Sequence, residues 1–219
     1  MPLLKLPEQK SLIDQIYSLI RLILLLSFLR LSTFPSTAQI SNKLTLAFLA
    51  EFSNTTSDSP FIYSKGLNTN VIKAISKHIE REEMFNNRKY EASKIIVFDT
   101  LILTKEEKQY ILNELKKQSD TNLWNQLKIP NSKLIPLDTL TAISNDTTKG
   151  WNYFSKVYGK TLFNFSIPIF FRNNQYCIFY YNTTCGIKCG EEVCAIFKRK
   201  KNDWSKWITI FESDVPYIN

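Results

Sequence analysis

The chain has 219 residues, with 28 lysines and arginines against 20 aspartates and glutamates, a formal net charge of +8; that length suits one domain with a sizeable core. A hydrophobic content of 44% with 13% aromatics excludes a disordered chain. Five glycines and a single histidine, His78, leave little room for a phosphate-cradling loop or a histidine-dependent triad.

The basic excess permits attraction to nucleic acid or an anionic surface. Its only dense run, residues 198–201, leads into Asn202-Asp203 and reads as a solvated turn between strands. Nucleic acid is therefore not an expected partner.

At the start, an apolar run at residues 22–29 follows Lys5, Lys10 and Arg21 and precedes Ser36-Thr37-Ala38. This is the layout of a secretory signal with a small-x-small cleavage site, so residues 1–38 are read as a leader and 39–219 as the mature domain. The uncharged core between Arg21 and Arg30 is eight residues, short of the roughly 20 that span a bilayer, so no membrane span is expected after signal removal. An amphipathic first helix over residues 9–31 is the alternative.

Residues 43–52 read as a strand or a short helix. From Asn70, apolar positions at Val71, Ile72, Ile75 and Ile79 predict a helix of about 14 residues, ending near Asn86-Asn87. Residues 94–103 predict the clearest buried strand of the front half, and Thr104 with Glu107 forms a capping box for a helix that buries Ile111, Leu112 and Leu115. A short turn through Trp124, an edge strand or loop at 134–140 around Pro136, and a helix at 151–157 follow.

The last third changes character. Runs at 161–172, 175–181, 192–199 and 204–211 predict an antiparallel meander over 161–213. The second run is apolar on both faces, which makes it central and covered by helices from the front half, 39–160. The expected fold class is α+β, a single domain.

All four cysteines lie in this region with the spacing C-x7-C-x3-C-x4-C. In an exported chain this favours disulfides, preferably Cys177 with Cys194 across the ladder and Cys185 with Cys189 in the loop beyond, or a buried thiol at one of the strand positions. Zinc and thiol redox chemistry are the alternatives, although only Cys185 and Cys189 have knuckle-like spacing and no C-x-x-C occurs. The adjacent carboxylate pairs Glu82-Glu83, Glu106-Glu107 and Glu191-Glu192 read as solvated. Asp99, inside an apolar run, reads as a structural acceptor at a sheet edge in preference to a catalytic acid.

Phe165-Ser-Ile-Pro-Ile-Phe170, Tyr180-Tyr181, Cys185-Gly-x-x-Cys189-Gly, Lys198 and Trp204-x-x-Trp207 together resemble the C-terminal hairpins of small exported bacterial proteins of unknown function. The resemblance covers about the last 55 residues, implies architecture and no activity, and is broken by the added Cys177 and Cys194. The expectation is an exported, disulfide-stapled domain of the periplasm, envelope or exterior, with a non-catalytic binding or envelope-associated role. Its expected binding loop is Gly186, Ile187, Lys188 and Gly190, with Trp204 and Trp207; no catalytic residue, metal or cofactor is assigned. The alternatives are a carboxylate hydrolase acting on envelope polymers or peptides and a zinc-binding hairpin.

Overall fold

A computed structural model describes residues 37–56, 60–91, 94–186, 189–201 and 203–214. The leader up to residue 36, and Ile187 and Lys188, lie outside the described residues. In chain order the elements are α1 (Thr37–Thr56), β1 (Phe61–Ser64), α2 (Thr69–Arg81), β2 (Met84–Glu91), β3 (Lys94–Ile102) and α3 (Lys105–Lys117). A 3-10 turn (Thr121–Gln126) follows, then β4 (Ser132–Leu134), α4 (Leu137–Asn145), α5 (Gly150–Val157), β5 (Leu162–Phe165) and β6 (Ile169–Phe171), and finally β7 (Tyr176–Gly186), β8 (Cys189–Lys200) and β9 (Asp203–Asp214). The class is α+β, and among the described residues no helix is long and apolar enough to cross a membrane.

The main sheet runs β4-β1-β5-β7-β8-β9, with β6 also pairing β7. β7, β8 and β9 form the antiparallel meander, whereas β1 pairs in parallel with both β4 and β5. The run at 161–172 is two strands rather than one, because Pro168 has no amide hydrogen for a ladder. The Gln118 side chain grips the break, donating to the Ile167 carbonyl (2.8 Å) and accepting from its amide (2.9 Å).

Alternation along the strands sends side chains to two covered faces. Phe61, Phe163, Phe165, Cys177, Phe179, Val193 and Phe197 point to one, where α1 supplies Phe48, Leu49 and Phe52 and the 3-10 turn supplies Trp124. Phe179 meets both Phe48 and Phe52 with ring centroids 4.9 Å apart. Ile178, Tyr180, Cys194 and Ile196 point to the other face, under Ile75 and Ile79 of α2, Ile111 and Leu115 of α3, and Phe85 and Leu101 of the β2–β3 hairpin. Burying both faces fits the near-continuous apolar sequence of β7.

The expected caps form: Thr104 Oγ1 accepts from the Glu107 amide (3.2 Å) while Glu107 Oε2 accepts from the Thr104 amide (2.9 Å). The same Glu107 takes a two-pronged ion pair from Arg172, at 2.7 and 2.9 Å, tying α3 to the β6–β7 turn. That turn holds Arg172, Asn173 and Asn174 at φ 49, 53 and 61, a left-handed run in which two of the three residues are the tolerant asparagine.

Three front-half expectations are corrected, the first being the edge strand or loop over 134–140, where Leu134 ends β4 and Leu137 begins α4 behind Pro136. The helix predicted from Asn70 ends at Arg81 instead of reaching Asn86-Asn87, since Phe85 is needed as a strand residue opposite Leu101. Residues 94–102 are a strand, but not a buried one: apart from Leu101 every residue of β3 is exposed, because β3 pairs only with β2 and only the Leu101 end reaches the core.

Candidate functional site

The β7–β8 hairpin carries all four cysteines. Cys185 and Cys189 form a disulfide with Cα atoms 5.0 Å apart, as expected. The β7–β8 ladder shifts register here, and Gly186 sits at φ 151, a conformation L side chains rarely adopt, against the Trp151 indole.

Cys177 and Cys194 are not joined, which corrects the two-bridge expectation. The observed register pairs Cys177 with Phe197 and Tyr180 with Cys194, three residues away from the alignment expected. An odd offset puts the two thiols on opposite faces of the sheet, in different hydrophobic clusters. Burial raises both thiols above the ordinary cysteine range, so they are inert packing residues rather than a redox pair. The same geometry removes the zinc hairpin, since the four sulfurs do not converge.

The expected binding loop is also dispersed. Trp204, on β9 opposite Arg199, lies nine rungs or about 30 Å along β8 from Gly190. Trp204 packs on Phe48 and Phe170 (both 5.4 Å) on one face, with its amide held by Glu51 Oε1 at 2.7 Å. Trp207 packs on Tyr176 (5.1 Å) on the other face, beneath the Lys198 ammonium (4.6 Å). Lys198 also reaches Asp99 (3.8 Å), an exposed carboxylate on β3 that accepts from the Thr100 amide, the structural role expected of it.

The structure does bring Trp207 into a cleft. The edge of β9 and the edge of β2 face each other, neither pairing the other in a ladder, across a cavity of about 820 Å³. β2 contributes Met84, Asn86 and Arg88 to its lining, and β9 contributes Lys206, Trp207, Ile210 and Glu212. Two bulges aim the β9 side chains: the ladder with β8 skips Trp207 and Ile210, which turns both to the side of the second core cluster. At one end Glu82 Oε1 lies 3.2 Å from His78 Nδ1, whose ring lies on Phe211 (5.1 Å); Lys206 pairs with Glu212 (3.3 Å).

Met84, Arg88, Lys206 and Ile210 were missed by sequence reasoning. The doublets Trp207-Ile208 and Ile210-Phe211 interrupt strict alternation and are the signal that could have revealed the bulges. No protein-family model matches the chain, nor does any curated protein or solved structure.

Proposed function

We propose that this is an exported, disulfide-stapled domain with a non-catalytic binding role, and that its cleft between β2 and β9 receives an extended segment of a partner polypeptide. The observation that carries this reading is the pair of unladdered strand edges flanking a cleft whose lining sets Met84, Trp207 and Ile210 among polar residues and residues of both charges. Extended peptides are recognised in such places by backbone contacts to an edge and side-chain contacts to alternate pockets. Export is supported by the leader and by a disulfide, which persists in oxidising compartments.

Panning a display library of short random peptides against the protein, then titrating the selected peptides, tests the reading. Arg88→Glu with Lys206→Glu should weaken the selected peptides about tenfold or more, as rim charges do when inverted. Selected peptides that bind the double variant as tightly as the parent would sink it. Export is tested separately, by fractionating an expressing bacterium and sequencing the N-terminus for a start at Gln39.

One observation favours a carboxylate hydrolase: Glu82 and Glu212 both line the cleft. Each already pairs with a basic side chain, Glu82 with His78 and Glu212 with Lys206. Release of soluble fragments from purified envelope polymer, abolished by Glu82→Gln, would reverse that preference.

A further inference from the structure

The Cys185–Cys189 bridge lies away from the cleft, at the outer end of the β7–β8 hairpin beyond the Thr184–Gly190 rung, and spans a sequence separation of four. So short a closure takes little freedom from the unfolded chain, while the strands below are held by side chains buried on both faces. The fold therefore survives with the bridge open. The two sulfurs differ in access: Cys189 is exposed, whereas Cys185 is half-buried, set in the register shift beside Gly186. The Trp151 indole rests there, where a methyl group on Gly186 would meet it at 3.7 Å, and is itself stacked on the buried Phe154 (4.8 Å). Neither remaining thiol can intervene, since Cys177 and Cys194 are buried under opposite faces of the sheet. An external thiol meets one accessible sulfur and no internal competitor, the situation in which a disulfide exchanges instead of persisting as a staple.

We propose that the hairpin tip is a thiol–disulfide exchange site, at which a thiolate of a protein dithiol attacks Cys189 Sγ and Cys185 Sγ leaves. The first step forms a bond between the partner sulfur and Cys189 and breaks the Cys185–Cys189 bond, whose electron pair stays on Cys185 as a thiolate that takes a proton from water. The partner's second thiolate then attacks the partner sulfur of the mixed disulfide and releases Cys189 as a thiolate, which is protonated in turn. Two electrons pass to the tip, and the partner departs as a disulfide. A monothiol completes this poorly, because Cys185, four residues away, returns to Cys189 and expels it. A dithiol carries its own second sulfur and finishes the transfer.

The test uses thioredoxin whose second active-site cysteine is replaced by serine, incubated with the folded, oxidised protein and quenched with acid before peptide mapping. A trapped mixed disulfide on Cys189 is expected, formed at a rate that stays level with urea below the unfolding transition. Intact thioredoxin should reduce the tip and leave a chain that still unfolds cooperatively in urea. In single variants, Cys189 of Cys185→Ser should react with an aromatic disulfide about tenfold or more faster than Cys185 of Cys189→Ser, as access governs thiol reactivity. No adduct until urea unfolds the chain overturns the proposal, since the bridge is then a staple. So does an adduct carried by Cys185, equal reactivity of the two single thiols, or a reduced chain that has lost its cooperative transition.

Discussion

β7 and β3 are both strands of strongly apolar sequence, Tyr-Cys-Ile-Phe-Tyr-Tyr in one and Lys-Ile-Ile-Val-Phe in the other, yet one carries a long unbroken run of buried residues and the other is exposed at every residue but Leu101. Nothing in composition separates them. What differs is cover: β7 has strand neighbours on both sides and a layer on each face, whereas β3 has a single partner and reaches the core only near Leu101. An apolar run reports a demand for burial. It does not say whether the same chain meets that demand.

Paired substitutions break or sharpen this contrast. Phe179→Ala, at a fully buried ring between Phe48 and Phe52, should lower unfolding free energy by about 3–5 kcal/mol in urea titration. A loss comparable to that of a surface site would mean the β7 core is not packed as described. Reducing the Cys185–Cys189 bridge closes off a smaller term, about 2 kcal/mol for so short a loop. Thiol counting checks the same hairpin: no rapidly reacting thiol in the native protein, two after denaturation, four after reduction as well. Zero thiols after denaturation would restore the two-bridge arrangement.

Arg172→Gln should be milder, about 1 kcal/mol, for a two-pronged pair on a partly exposed surface. Arg172 holds the Glu107 carboxyl below its usual range, so this contribution is present above the unfolded glutamate pKa and fades as pH falls through the lowered folded value. A variant whose deficit is the same at neutral and strongly acid pH contradicts that assignment. At the alkaline end, burial raises Tyr181 to about 12, so its neutral form stabilises the fold below pH 10 and that stabilisation disappears as pH rises towards 12. Tyr181→Phe should flatten the alkaline decline. The smallest effect is expected at Phe98→Ala, within about 0.5 kcal/mol in urea titration, because that ring is already in water.

Much of the fold was legible because local chemistry dictated it. Thr104 and Glu107 specify their own cap, Asp120 starts the 3-10 turn by accepting from the Asn122 amide, and the alternating aromatics of the last third specify a meander. The parallel strand β1 was missed, since four residues after a polar stretch carry no periodic signal and become a strand only because β4 and β5 flank them. The site was less legible. Register is a property of two strands, and the three-residue error at Cys177 reversed the face of one sulfur and joined a pair the sheet keeps apart. The cleft depends on where the β2–β3 hairpin stops relative to β9, a tertiary fact with no local code.

The separation of Cys177 from Cys194 has a consequence for how the chain matures. Four cysteines in an unfolded chain admit three fully paired isomers, and each of them takes Cys177 and Cys194 into bridges, whereas the folded sheet leaves both as free thiols. Once β7 and β8 have zipped, the sheet itself stands between the two inner sulfurs and buries each where oxidants and thiolates do not reach. Only the outermost pair, at the hairpin tip, is then left to oxidise. Folding acts as the protecting group: the polypeptide selects its own bridge, and any delay in zipping these strands in an oxidising compartment would be registered as covalent error.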